Sequence, residues 1–426
     1  MTTDGLLASL VLDRMSEGEI ERARLVESVL PELKAHAGQS DRAAEFHLPH
    51  LETFRKAGLL GLIVPKSHGG LGGTLRDLAA ATFAMGTACP GTALTFFFHC
   101  STASRGLLGL EALEAGLFDE KEQSKVRDFS SRLLHKMGRD GQWLANFASE
   151  SAKSSATRVT ISTEATRTDG GYLLNGVKSF GSGTGVAQAY LVTAKLAGTE
   201  TAEGICVFFV DPKASGVTER VRWDSIGMRA TANHGVILKD VFVKDEDALA
   251  LPGAFVKMMQ MSRGTFVGNQ LAGQAIYVGA AQSVFDFTVD FLKATKFQDT
   301  SRPIAESPMH RQILGQMTTD LEEAYLWLRR QIELETSEPP LLPKPRVVRQ
   351  WRMAKGSMCE AAFRVGVGAF KACGTSNTQM SGVVARGLRD LSLGLVQAFP
   401  SERGRLEAAE MVTTEGPVQD FGVGKK

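Results

Sequence analysis

The hydrophobic pattern of the chain changes period twice. Between Glu17 and Ala35 an apolar stripe (Ile20, Ala23, Leu25, Val26, Val29, Leu30, Leu33) runs among charged positions at helical spacing. Helical patterning continues to about residue 140, through Phe54–Leu60 and Leu75–Ala88, on either side of a Gly-rich turn at His68–Gly73. From residue 142 to 245 the pattern is that of strands. Arg158–Ser162 alternates, Asp169-Gly170-Gly171 reads as a turn, and Tyr172–Gly176 follows as the next strand. Gly204–Val210 is a continuous apolar run, the pattern of a strand buried on both faces. From Pro252 the helical period returns over Phe266–Phe291, Met309–Leu334 and Pro345–Ala372, with a Pro-rich break at Ser337–Pro345. The order predicts an α+β chain with a strand block between two helical halves, divided at 1–141, 142–250 and 251–426.

Composition narrows the function classes. With 426 residues, 43% hydrophobic and 22% charged, the chain has the make-up of a globular protein with a substantial core. A net charge of +1 and the lack of a basic stripe argue against nucleic acid or an anionic membrane as partner. Met1–Leu7 has no basic region ahead of an apolar stretch, and no apolar run is long enough to span a bilayer, so a cytoplasmic protein is expected. The five cysteines (Cys89, Cys100, Cys206, Cys359, Cys373) form no CxxC pair; they read as buried thiols rather than a disulfide framework or metal site. The Gly-rich turn lacks the Lys-Ser/Thr of a phosphate loop and reads as structural.

Local strings then carry a resemblance. In chain order they are Ala57-Gly58-Leu59 with Val64-Pro65 and Gly69-Gly70, Phe147–Ser155, Tyr172–Gly176 with Lys178 and Phe180, Ile226–Ala230, Val241–Val243, Gly374, and Arg389-Asp390. As an ordered set over nearly the whole chain they resemble the acyl-CoA dehydrogenase superfamily of flavoproteins. The resemblance implies an N-terminal helical domain, a central β-barrel-like domain and a C-terminal four-helix bundle, assembled as a homo-oligomer (dimer or tetramer). It implies FAD, with FMN as the alternative cofactor. Phe147, Ser149, Phe180 and Ser182 would line the flavin ring, and Ser155 would lie near the polar tail of a substrate. Such a ring needs hydrogen bonds to its polar edge and an aromatic against a face, which these residue types supply. Lys296, Phe297 and Gly374 would belong to the cofactor grip.

The chain departs from that pattern where the chemistry is done. The family's dehydrogenases remove an α-proton with a Glu, and the matching position here is Ala398, followed by Phe399-Pro400. The alternative position for that Glu, on an earlier helix, matches Asn269, with Gln270 in place of the adjoining Arg. Asn269, Gln270 and Ala398 are therefore candidate substrate-facing residues, and Glu402 is the one nearby carboxylate weighed as a substitute base. The cofactor-gripping Arg-x-x-Phe-Gly reads Ala294–Gln298, leaving Lys296 to supply charge without a bidentate fork. Ser182-Gly183 and His99 instead resemble the flavin-dependent monooxygenases of this fold, in which a Ser and a His stand near the flavin's reactive edge. A His late in the chain, typical of that branch, is replaced here by Gln397. His99 admits two readings, a catalytic group or a buried helix histidine bonded to backbone.

The reading favoured is an oxygen-using flavoenzyme acting on an acyl thioester or small molecule, with Ser182 and His99 as catalytic candidates and an electron-transfer or flavin reductase partner. The alternatives are an acyl thioester dehydrogenase with its base elsewhere, or a non-enzymatic scaffold.

Overall fold

The computed structural model describes residues 5–151, 159–262, 270–414 and 421–423. The N-terminal half holds helices α1 (Glu17–Ala43), α2 (His50–Lys56), α3 (Leu75–Ala88), α4 (Pro90–Glu114) and α5 (Glu120–Gly138). Three of these begin on reciprocal capping boxes, Ser16 with Glu19, Thr74 with Asp77 and Asp119 with Glu122, so each start satisfies its own free N–H groups. Helix α1 runs beyond the stripe that predicts it, with Pro31 inside it, and α2 begins ahead of Phe54. Helix α4 is buried on nearly every side, as its apolar circumference requires.

Strands follow: β1 (Leu144–Phe147), β2 (Val159–Ile161), β3 (Glu164–Thr168), β4 (Gly171–Lys178), β5 (Ala189–Leu196), β6 (Ile205–Val210), β7 (Val217–Glu219), β8 (Val236–Lys244) and β9 (Ala248–Leu249). They build an eight-stranded sheet in the order β7-β8-β4-β3-β5-β6-β9, with β1 added in parallel to β5. Strand β6 is buried along its whole length, as its apolar run predicts, whereas β8 alternates and so has one solvated face. A short strand β10 (Phe421–Val423) pairs in parallel with β2.

The chain then returns to helix: α6 (Ala254–Met259), α7 (Gln270–Ala294), α8 (Pro308–Thr336), α9 (Lys344–Cys373), α10 (Val383–Gly394) and α11 (Ser401–Thr413). Helix α7 is the axis of this half: it packs on α8, α9 and α10, and on α3 and α4 of the first half. Close packing explains small residues on α7; a side chain at Gly279 would meet the Phe83 carbonyl oxygen at 2.0 Å. The five cysteines are free and buried. Among the described residues no helix is long and apolar enough to cross a membrane.

Candidate functional site

The end of β4 carries the first cluster. Lys178 is buried, and its ammonium lies 2.6 Å from Glu150 Oε1. Glu150 also accepts from the Ser162 N–H (2.7 Å), the Thr163 N–H (3.0 Å) and the Thr163 hydroxyl (2.7 Å). Burial opposes its charge, but Lys178 and the Thr163 bonds outweigh burial and hold the carboxyl below its ordinary value. This pair, with the Ser179 N–H donating to the Ser149 carbonyl (3.1 Å), fixes the Ser149-Glu150 strand exit beside the Lys178-Ser179 exit.

The chain leaving β4 lies on the Phe147 ring. A side chain at Gly181 would stand 1.9 Å from Phe147 Cε1, so only glycine fits, and Gly183 adopts a φ of 93°. Thr184 ties the turn together: its hydroxyl donates to the Gly181 carbonyl (2.6 Å) and accepts from the Gly235 N–H (3.0 Å). The Ala232 carbonyl accepts from both Gly183 (2.7 Å) and Thr184 (3.0 Å) N–H groups. The Ser182 hydroxyl, nearly buried, donates to Asn233 Oδ1 at 3.3 Å. Phe180 points outward, 40% exposed, edge-on to Trp223 with ring centres 4.7 Å apart. Phe180 and Ser182 follow the end of β4 beside Phe147 and Ser149 at the end of β1; Phe147, expected to line the ring, is instead fully buried beneath Gly181.

His99 lies behind this platform. It is fully buried on α4, its Nε2 bonded to the Leu60 carbonyl (2.9 Å) and its Nδ1 accepting from the Leu144 N–H (3.0 Å). Burial drives its pKa down to about 4 against the pull of its backbone bonds to Leu60 and Leu144, so the ring is neutral. Both nitrogens are used by backbone, which corresponds to the second of its two sequence readings. Its ring packs on Trp143 at 4.9 Å. The buried Trp143 Nε1 has no hydrogen-bond partner among the described residues and lies 3.6 Å from where a Gly183 side chain would begin.

The loop Ser225–Gly235 connects the platform to the helical half. Asp390 Oδ1 on α10 accepts from the Met228 N–H at 2.6 Å, and Arg389 grips Asp41 of α1 through both Nη atoms (3.0 and 2.6 Å). The Arg389-Asp390 pair therefore joins three parts of the fold. Burial raises the Asp390 pKa from 3.8 to about 6, against the Met228 bond and its arginine neighbours. The folded state then holds a proton that the unfolded chain has released, and stability falls as pH rises through this window. Asp390→Asn keeps the acceptor for Met228 and removes the buried charge. It is expected to flatten that slope and to leave stability at neutral pH unchanged or raised, by up to about 3 kcal/mol. Urea denaturation from about pH 4 to pH 7 checks this; an undiminished slope in the variant refutes it.

The second cluster lies where α10 turns into α11. Ala398 is exposed, with a φ of 63°, in the turn after Gln397, whose Oε1 accepts from the Tyr277 hydroxyl at 2.7 Å. Lys355, buried, donates to the carbonyls of Gly394 (2.8 Å) and Phe399 (2.5 Å), closing the turn from beneath. Glu402 is exposed in the first turn of α11. Gln270, Gln274 and Tyr277 share one face of α7 at positions i, i+4 and i+7, so Gln270 begins the face that reaches Gln397. Asn269 and Ser155 lie outside the described residues. Lys296 and Phe297 are exposed in the loop after α7, and Gly374 is exposed at the end of α9; no contact among the described residues joins these three to the platform.

Pattern reading missed Asn233, Thr184, Trp143, Tyr277 and Lys355. Apart from the Thr184 bond to Gly181, their partners lie far away in the chain, and none sits in a local string that marks it. The platform fits a flavin. The Gly181 and Ser182 N–H groups take no acceptor among the described residues, and the buried Trp143 Nε1 beside Gly183 is also unpaired among them. Unpaired donors at a strand end beside an outward aromatic match a flat ring with acceptor atoms along one edge.

Comparison with known proteins agrees in architecture. Models of the acyl-CoA dehydrogenase N-terminal, middle and C-terminal domains match residues 18–111, 145–241 and 271–399. The chain is 26% identical over 367 residues to a dibenzothiophene monooxygenase of Rhodococcus erythropolis, covering 81% of this chain and 82% of the relative. It is 28% identical over 296 residues to the 3-(aryl)acrylate reductase of Clostridium sporogenes (strain ATCC 15579), covering 69% and 73%. Among solved structures, the dibenzothiophene monooxygenase TdsC of Paenibacillus sp. A11-2 with FMN and indole superposes with a TM-score of 0.79 at 19% identity, over 94% of this chain and 99% of that one. Butyryl-CoA dehydrogenase of Megasphaera elsdenii gives 0.77 at 19% identity over 94% and 99%.

Proposed function

The chain belongs to the acyl-CoA dehydrogenase family, and from that membership we propose that it is a flavin-dependent oxidoreductase of the oxygen-using kind. The observation that carries the second half of this reading is the turn at Ala398. Proton removal from an acyl thioester needs a carboxylate over the substrate carbon. Here the turn presents a methyl group, Gln397 is bonded to Tyr277, and Glu402 is exposed on the next helix. The presence of monooxygenases among the relatives supports the same reading.

A bound reduced flavin, FAD or FMN, would give two electrons to dioxygen, one oxygen atom passing to the substrate and the other leaving as water. The chain's own part is to hold and shield the ring. Phe147 and Gly181 set the height of the platform, and the Gly181 and Ser182 N–H groups offer donors to the ring edge. Ser182, its hydroxyl proton directed to Asn233, turns its oxygen lone pairs to that edge. His99 acts by position: its two backbone bonds set Leu60 and Leu144 and keep Trp143 beneath Gly183. A reductase or electron-transfer partner would supply the reducing equivalents, and the surface residues Lys296, Phe297 and Gly374 would contribute to the cofactor site from a second copy of the chain.

Two assays on the purified protein separate this from dehydrogenation. Loaded with reduced FMN or FAD and given ¹⁸O₂, it is expected to place label in indole or dibenzothiophene. With butyryl-CoA and an artificial electron acceptor it is expected to leave the acceptor oxidised. Acceptor reduction by butyryl-CoA, without label transfer in the first assay, would establish the dehydrogenase reading instead.

A further inference from the structure

Arg105 on α4 is 1% exposed and meets no carboxylate among the described residues. Its Nη1 donates to the Met259 sulfur at 3.3 Å, and its guanidinium lies over the Phe255 ring at 4.9 Å. Its Nε and Nη2 have no partner among the described residues. Those two atoms form the side-on edge of the guanidinium, and the same edge of Arg22 grips the Asp77 carboxylate through Nε (2.6 Å) and Nη2 (3.1 Å). Burial alone pushes the Arg105 pKa down to about 9, so the group is still cationic at neutral pH. A buried charge without a counter-ion is costly, and proteins rarely hold one unless something pairs with it.

The position of Arg105 indicates where that partner comes from. Gly91, Phe98, Thr102 and Arg105 fall on one face of α4, at spacings of seven, four and three residues. At one end of this face, Gly91 packs on Ala230, in the loop whose Ala232 carbonyl holds Gly183 and Thr184. Phe98 is only half-buried, unlike its neighbours on the helix. Seven residues of helix separate Phe98 from Arg105, a rise of about 10 Å.

We propose that Arg105 is a binding residue for an anionic substrate: its side-on edge takes a carboxylate, while the rest of the molecule lies along α4 past Thr102 and Phe98 toward the Ser182 platform. The assignment rests on the flavoenzyme reading for its substrate direction. It is tested by binding without turnover, so the two can fail separately.

The probes are octanoate and its neutral isostere octanamide, with sodium chloride matching the ionic strength, read by calorimetry and by the thermal midpoint of the purified protein. Octanoate is expected to bind the wild type about tenfold more tightly than octanamide, or better, the margin of a charge-assisted bidentate contact. Arg105→Met is expected to abolish that preference, and without ligand to unfold at a temperature no lower than the wild type. Arg105→Lys is expected to keep a weaker preference. Equal binding of the two probes by the wild type, or binding of neither, overturns the proposal whether or not the variants fold. Undiminished octanoate binding by Arg105→Met overturns it as well.

Discussion

Replacing Lys178 by methionine is expected to remove about 3–5 kcal/mol of folding stability, the usual consequence of leaving one member of a buried ion pair alone. Lys178 and Glu150 are both out of solvent, their side chains 0% and 4% exposed, and the Glu150 carboxylate would keep only its Ser162 and Thr163 donors. The loss has a defined pH dependence. In the wild type the Glu150 carboxyl is held below its ordinary value, so its contribution is present above the unfolded pKa and is lost as pH falls through the folded one. In Lys178→Met the same carboxyl is pushed upward by burial, and protonation relieves the variant. The deficit should therefore be larger at neutral pH than near pH 5, by about 1 kcal/mol or more. Glu150→Gln combined with Lys178→Met should recover part of the loss, since no charge is then buried. Urea midpoints of the three variants at the two pH values decide it; a deficit under about 1 kcal/mol, or one equal at both pH values, is incompatible with the pair as described.

Phe147→Ala is expected to cost about 3–5 kcal/mol and to weaken flavin retention in the same step. The Phe147 ring is fully buried, packs on Tyr190 with ring centres 4.5 Å apart, and supports Gly181 from below. Gly181→Ala acts from the other side, because its new methyl would lie inside the ring's contact distance and the turn bearing Ser182 would have to lift. The two changes compete for one volume. The double variant should be more stable than the sum of the single losses predicts, by about 1 kcal/mol or more. Strict additivity, or full flavin retention in Phe147→Ala, would show that the ring does not set the platform.

Much of the fold was legible because burial imposes period. The run Gly204–Val210 is consistent with a strand covered on both faces, and the stripe from Ile20 to Leu33 with a helix that has one buried side. Boundaries were less legible. Helix α1 continues past its apolar stripe because the helix ends in a left-handed cap at Ala44, and hydrophobicity does not record such a cap. Within the site, the strings bearing Phe147 and Ser149 and bearing Phe180 and Ser182 were readable as two strand exits, those of β1 and β4. Asn233 was not, because its partner Ser182 is brought to it by the pairing of β4 with β8.

By itself the sequence determined the order of helical and strand blocks, the family, and the alanine at position 398, all of which are carried by local periodicity and residue identity. The tertiary structure alone decided what the polar residues do. Arg389 and Asp390 are adjacent in a recognisable pair, yet one grips α1 and the other the loop beneath the platform. His99 could have faced a ligand, but two backbone groups from residues 60 and 144 meet its ring instead. Arg105 is one arginine among many in the chain, and only burial without a counter-ion among the described residues marks it out. The reason is common to all three. A charge or hydrogen-bonding group has its role set by the partner within about 3 Å and by the water excluded around it, and both are products of folding.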